Sequence, residues 1–462
     1  MNFMYTRQWH KIVMLFTNDQ QSAISAIKKG RNVMITGPGG TGKTTIINHL
    51  LTIKDVLIDP ARYLGITAMT GAAAVLIGGT TLHSYLGIGL CTDSEDGLVK
   101  KINRIEELKR KWCDTNMLVV DEVSMLPADL FNKLNRIAKR VRKRSEPFGG
   151  MQLVFGGDFL QLPCIKGDFC FESEAWKECG FKIFHLTKIM RQADEKFQAC
   201  LNRARFGEMT DEDFEYVTQS VPTKEKIASM EIKPTQILCK NVDVNEINHA
   251  NLEQLPAETI HKYKYKIEYT ANYEPSVHQY MFKDITKFKD ITKLCNAQSK
   301  LSLSVGAQVM LLVNIDVKRG LVNGSRGVVT RFFECKTLNS KGEEKVQYRP
   351  IIRFGNIEKT EMAVDRHGYE IKHDNYLIAT IYQIPLKLAY AVTVHKSQGI
   401  TLDSAMINLR GVFAYGQAYV ALSRVKDVNN LFLKNVTKAA FKAHPKALEF
   451  YRQLEKQTEE SN

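Results

Sequence analysis

From Asn32 to about Phe184, short apolar runs alternate with stretches of helical spacing. "NVMIT" (32–36), "RYLGIT" (62–67), "MLVVD" (117–121), "QLVFGG" (152–157) and "FKIFHL" (181–186) are short, mostly apolar runs. Strands covered on both faces have this pattern. Between them, 43–52 and 127–143 carry apolar residues at helical spacing. Strands that alternate with helices predict an α/β unit with a parallel sheet.

The pattern changes near Leu301. As far as Ile384, "LSLSV", "AQVMLLV", "GVVTRFF", "RPIIRF" and "YLIATIYQI" read as strands, with turns expected at Asn323-Gly324 and His367-Gly368. Helical periodicity fades, which predicts a small antiparallel barrel or sandwich. After Pro385 the α/β pattern returns through "KLAYAVTVHKSQG", "SAMINL" and a helix near Gly416–Val425. The expected layout is a first α/β domain over 1–186 and a second in two parts, 187–300 and 385–462. The β module, 301–384, is inserted between those parts. Tyr263–Lys293 is rich in Lys and Tyr and receives no element.

Composition narrows the class. The chain has 462 residues, 44% hydrophobic and 25% charged, as expected of a soluble globular protein. No apolar run is long enough for a membrane-spanning helix. The apolar patch near the N-terminus is broken by Arg7, His10 and Lys11, so no secretory leader is expected. The nine cysteines are irregularly spaced and contain no C-x-x-C pair. That disfavours zinc and suits a reducing, intracellular compartment, nucleus or cytoplasm. A net charge of +14 suits a polyanionic partner, nucleic acid or an anionic membrane surface.

"GPGGTGKTT" (37–45) decides more than composition does. It fits G-x-x-x-x-G-K-[ST] through Gly37, Gly42, Lys43 and Thr44, after a strand and before a helix. Glycines let backbone N–H groups close around phosphate oxygens, and the helix N-terminus adds positive potential. Gly37, Gly39, Gly40, Gly42, Lys43, Thr44 and Thr45 are therefore the expected nucleotide-binding residues. Lys43 would reach the β- and γ-phosphates of ATP, and the Thr44 hydroxyl would ligate Mg²⁺. "MLVVDEVSML" delivers Asp121 and Glu122 to a strand's C-terminal end, where ligands bind in such sheets. Asp121 would hold the Mg²⁺, and Glu122 would act as general base toward water. "VFGGDFLQLP" repeats the layout and offers Gln161 as a γ-phosphate sensor. The basic run "KRVRKR" (139–144) reads first as a solvated helix face, with a nuclear-import signal or DNA patch as the less common alternative.

The long phrases "ITAMTGAAAVLIGGTTLHSYLGIG", "LVVDEVSML", "LVFGGDFLQLP", "LTKIMRQ", "GAQVMLLVNIDVKRGLVNGSRGVV", "PLKLAYAVTVHKSQGITLD" and "AYVALSRV" occur in this order. Together they resemble the petite-integration-frequency helicase family, on the RecD-like branch of superfamily 1, from about Phe16 to Val425. The resemblance implies an α/β fold of two RecA-like P-loop domains with an SH3-like β insert. It implies a monomer that binds ATP between its domains, moves 5′ to 3′ on single-stranded DNA and unwinds duplex at single-strand/duplex junctions. Replication, recombination, repair or telomere maintenance would be its setting. Gln20 in "FTNDQQ" would read adenine, and Gln398 would face the nucleotide. Arg191 and Arg424 would be arginine fingers, permanently charged forks that match phosphate geometry. Thr80, Thr81, His83, His395, Lys396 and Ser397 would touch or sense the DNA strand. Tyr85 could stack on a base or face the core. Three rivals share parts of this pattern: a translocase that remodels protein–DNA complexes without unwinding, a P-loop kinase or ring ATPase, and a non-catalytic DNA-binding relic.

Overall fold

The structure, a computed structural model, describes residues 16–89, 91–219, 224–269, 295, 297–316, 319–338, 344–355, 358–373 and 376–459. The first α/β unit is a six-stranded parallel sheet: β1 (Val33–Thr36), β2 (Tyr63–Ala68), β3 (Thr80–Thr81), β4 (Thr115–Asp121), β5 (Gln152–Gly156) and β6 (Lys182–His185). Its order is β3-β2-β4-β5-β1-β6, so β1 lies between β5 and β6. Every residue of β1 is buried, which is why the run is apolar throughout.

The helix Lys43–Thr52 sends Ile46, Ile47 and Leu50 into one core. Ala128–Arg142 buries Phe131, Leu134, Ile137, Ala138 and Val141 in another, at the spacing of a single helix face. Truncating Phe131 to Ala there would cost about 3–5 kcal/mol. The opposite face explains the basic run. Lys139 pairs with Glu178 at 2.5 Å and Arg140 with Asp96 at 2.7 Å. Arg142 donates to the carbonyls of Trp112, Cys113, Thr115 and Gly149. Much of "KRVRKR" is thus occupied by intramolecular partners.

The second α/β unit is a four-stranded parallel sheet in the order Ala391–Thr393, Thr235–Leu238, Ala405–Asn408, Leu431–Lys434. Its core takes Phe197, Cys200, Leu201 and Ala204 from the helix Glu195–Phe206, and every residue of the helix Gln417–Leu422 is buried.

The β insert is antiparallel. One sheet runs Glu361–Ala363, Glu344–Phe354, Arg326–Leu338, Gln308–Leu311, Leu386–Leu388, and a second runs His367–His373, Tyr376–Gln383, Lys266–Tyr269. It draws on more chain than 301–384. His261–Lys264 pairs with Lys300–Leu303 in a separate two-stranded sheet, and Lys266–Tyr269 pairs with Tyr376–Gln383, so residues expected in the second α/β unit form antiparallel strands instead. Most of Tyr263–Lys293 lies outside the described residues. Asn323-Gly324 does turn the chain, with Gly324 at φ +97°. His367-Gly368 does not: it opens a strand and pairs with Gln383 and Tyr382.

One element crosses the expected boundaries. By sequence order the helix Pro445–Glu459 falls in the expected second α/β unit. Ala447, Tyr451 and Leu454 instead pack into the first unit's core beside Phe159 and Phe169. Phe450 meets Phe159 edge-on at 5.0 Å, so aromatic contacts fix the helix there. All nine cysteines are free thiols. Among the described residues no helix is long and apolar enough to cross a membrane.

Candidate active site

β1 ends at Thr36, and the chain turns through Gly37–Gly42 into the helix Lys43–Thr52. Gly42 caps that helix in the left-handed region, φ +85°, and a Cβ there would lie 2.6 Å from Gln20 Nε2. Glycine meets both demands. Gln20 is buried: its Oε1 accepts from Thr17 N at 3.0 Å and its Nε2 donates to the Thr41 carbonyl at 3.0 Å. It therefore braces the phosphate loop. Lys43 Nζ reaches back to the carbonyls of Gly37 (2.6 Å) and Pro38 (2.8 Å). Burial lowers its pKa to about 8, against the pull of Asp158, Glu122 and Asp121. Thr44 and Thr45 are exposed at the helix start.

β4 delivers the acids. Asp121 is buried and accepts the Glu122 N–H at 2.9 Å. Burial raises its pKa, with that hydrogen bond and Lys43 opposing. Glu122 follows at φ +55°, an uncommon conformation for a residue with a Cβ. Burial and then the neighbouring Asp121 raise its pKa to about 7. Carboxylate and hydroxyl oxygens suit Mg²⁺, which takes few protein ligands and keeps its waters. Asp121 and Thr44 fit that description. Gln161 is buried, its Nε2 3.4 Å from Asp158 Oδ2.

The second α/β unit closes the cleft. Arg191 Nη1 donates to the Ser423 carbonyl at 3.0 Å, and Arg424 donates to Ser423 Oγ at 2.6 Å and the Val420 carbonyl at 2.7 Å. Both guanidinium groups stand over the phosphate loop: a Cβ on Gly39 would lie 3.3 Å from Arg424 Nη2 and 3.4 Å from Arg191 Nη1. Burial, then the Arg191 charge, lowers the Arg424 pKa to about 9. Among the described residues neither arginine has an ion-pair partner within salt-bridge distance. Two cations so arranged, Arg424 buried and Arg191 half-buried, favour an anion between them and the loop. Tyr419 OH accepts the Gly39 N–H at 3.0 Å. Gln398 Nε2 donates to Glu122 Oε2 at 2.6 Å.

The proposed strand-facing residues separate by exposure. Thr80 and Lys396 are exposed, while Thr81, His83 and His395 are half-buried. Thr81 Oγ1 caps the helix Leu82–Tyr85 by accepting the Ser84 N–H. Burial lowers the pKa of His83 and His395, which favours the neutral imidazole and suits stacking or neutral hydrogen bonds. Ser397 departs from expectation: it is buried, and its hydroxyl donates to the Val394 carbonyl at 2.7 Å, so it is turned inward. Tyr85 packs inward too. Its ring lies over Gly65, where a Cβ would come within 2.7 Å, and its hydroxyl meets Thr115 Oγ1 at 2.9 Å.

Sequence reasoning missed Tyr419 and Asp158, although both sit inside phrases it singled out. It also missed Phe413, exposed and parallel to the His395 ring at 6.2 Å. Arg205 and Tyr451 belong to the same buried cluster as Asp158 and had no local signal.

Two α/β units, a phosphate loop on one and paired arginines from the other define a nucleotide-binding motor of the two-domain P-loop class. Comparison with known proteins makes the class specific. The PIF1-like helicase model matches residues 15–213, and the model "DNA helicase Pif1, 2B domain" matches 289–332. An uncharacterized protein of invertebrate iridescent virus 6 is 36% identical, over 94% of this chain and 93% of its own length. The ATP-dependent DNA helicase PIF1 of Xenopus laevis is 35% identical over 96% of this chain. This chain spans 65% of that protein's length. Among solved structures, Candida albicans Pif1 helicase aligns with TM-score 0.74 and 31% identity over 96% of this chain and 100% of that one. Bacteroides Pif1 with ADP-AlF4 aligns with TM-score 0.74 and 28% identity, over 96% and 98%. Bacteroides Pif1 bound to ssDNA aligns with TM-score 0.61 and 28% identity, over 96% and 98%. The chain belongs to the Pif1-like family of ATP-dependent DNA helicases.

Proposed function

We propose that this chain is an ATP-dependent DNA helicase that translocates 5′ to 3′ on single-stranded DNA and unwinds duplex at junctions. The observation that carries the reading is the convergence of Arg191, Arg424 and Gln398 from one α/β unit on Gly39 and Glu122 of the other. An ATP bound there would be gripped from both sides, so its turnover would couple to relative motion of the units. Backbone N–H groups of Gly40–Thr44 and the Lys43 ammonium bind the phosphates, with the Gly39 N–H held by Tyr419 OH. Thr44 and Asp121 would hold Mg²⁺, which would neutralise charge developing between the β- and γ-phosphates. Glu122 takes the proton from the attacking water. Arg191 and Arg424 stabilise charge on the transferring phosphoryl group. Both arginines come from the same chain as the phosphate loop, so one copy suffices.

The DNA reading rests on the resolved Bacteroides Pif1–ssDNA complex as a structural relative and on the net charge of +14. Lys396 and His395 adjoin Gln398, so a strand held there would act directly on the hydrogen bond to Glu122. The test is steady-state ATP hydrolysis with and without an oligodeoxythymidylate. We expect strong stimulation in the wild type and none in Lys43→Ala, with DNA binding retained. Hydrolysis indifferent to the oligonucleotide would remove the motor reading and leave a plain P-loop ATPase.

A further inference from the structure

A second polar cluster lies behind the phosphate loop. Thr36, the last residue before Gly37, meets Tyr451 OH at 2.5 Å. Tyr451 OH donates to Asp158 Oδ1 at 2.9 Å, so Thr36 donates to Tyr451. Arg205 grips the same carboxylate with two bonds, Nε to Oδ2 and Nη2 to Oδ1, each 2.9 Å. The Arg205 guanidinium also sits 4.5 Å from the Tyr451 ring centre. All four side chains are closed off from solvent.

The four residues come from four places: the end of β1, the turn after β5, a helix in the second unit's core, and the helix Pro445–Glu459. A buried ion pair is poor evidence of stabilisation, because apolar residues of equal volume often fold as well. What this pair supplies is fixed geometry. Asp158 is the strongest favourable charge acting on Lys43, and its other oxygen lies 3.4 Å from Gln161 Nε2. Burial would push the Asp158 carboxyl up, but Arg205 overrides it and holds the group ionised, below the usual carboxylate range.

We propose that Asp158, Arg205 and Tyr451 form a pivot that ties both α/β units to the root of the phosphate loop. The helix Pro445–Glu459 is then a working part of the ATP site. Tyr451 and Arg205 are positioning residues: their hydrogen bonds go to Asp158 and Thr36 and not to Lys43 or Gln161, although the Arg205 charge also acts on Lys43. The inference rests on the ATPase reading above.

Tyr451→Phe is the sharp variant, since it keeps the ring over Arg205 and removes only the hydroxyl. We expect DNA-stimulated kcat to fall about tenfold, less than the order of 100-fold that an ångström-scale misplacement can cost. KM for ATP should stay within about twofold, and a fluorescent ADP analogue should titrate the same fraction of sites as in wild type. Arg205→Lys keeps the charge but loses the two-pronged grip, and should show the same split. Unchanged kcat in Tyr451→Phe, or a fall matched by an equal loss of titratable sites, would overturn the pivot while leaving the ATPase reading intact. A wild-type chain that hydrolyses no ATP would overturn both.

Discussion

Gln398 Nε2 donates to Glu122 Oε2 at 2.6 Å, joining residues 276 positions apart on opposite α/β units. Gln398 directly follows the short helix Val394–Ser397, which carries His395 and the exposed Lys396. One short segment therefore touches the proposed general base with one side chain and offers a cation to a DNA strand with another. Gln398→Ala should weaken DNA stimulation of ATP hydrolysis by about tenfold and basal hydrolysis by much less, the loss expected for one bond to a charged group. Steady-state assays with and without oligonucleotide check this. Equal loss in both would make Gln398 an ATP-site residue only.

The pH profile should report Glu122. Its pKa is raised to about 7 by burial and by Asp121. A general base must be ionised to accept a proton, so kcat should rise as pH increases through about 7. Gln398 donates to the charged form of Glu122, and removing that donor favours the neutral form. The rising limb should therefore move to higher pH in Gln398→Ala. A limb that stays in place would show that the bond does not act on the base.

Arg191 and Arg424 each place a planar fork over Gly39. Lysine keeps the charge but loses the fork. Arg424→Lys and Arg191→Lys should each lower kcat by at least about 100-fold with little change in nucleotide affinity. Single-turnover hydrolysis and nucleotide titration separate the two effects. A loss confined to affinity would place the arginines in ground-state binding.

Salt dependence should distinguish Lys396 from Ser397. If about five phosphates are contacted, log K should fall with log salt at a slope near about −3.5, using the single-strand coefficient. Lys396→Ala should reduce that slope by about 0.7. Ser397→Ala should leave DNA affinity unchanged, because its hydroxyl is spent on the Val394 carbonyl. Fluorescence anisotropy across a salt series measures both.

Most of the first sheet was legible in the sequence because β1, β4 and β5 are buried almost throughout and read as apolar runs, whereas the two-residue edge strand β3 left no such run. The helices Lys43–Thr52 and Ala128–Arg142 were legible from their spacing. The phosphate loop and the acids at the end of β4 were legible because their chemistry is local. Other features were hidden because long-range pairing decides them. Lys266–Tyr269 carries two charges in four residues, yet it completes an antiparallel sheet with Tyr376–Gln383. His367-Gly368 looks like a turn and is a strand start, because its partners lie across the sheet. The helix Pro445–Glu459 follows the second unit in sequence, but its aromatic face matches Phe159 and Phe169 of the first. Tyr451, Asp158 and Arg205 acquire a shared role only once those elements meet.

The central claim is that ATP turnover in this cleft drives directional strand separation. Its most direct test is strand displacement with ATP on two partial duplexes, one with a 5′ single-stranded tail and one with a 3′ tail. The wild type should open the 5′-tailed substrate and leave the 3′-tailed one paired, and Lys43→Ala should displace neither. Displacement from the 3′ tail alone, or none from either tail while DNA-stimulated hydrolysis persists, would contradict that claim.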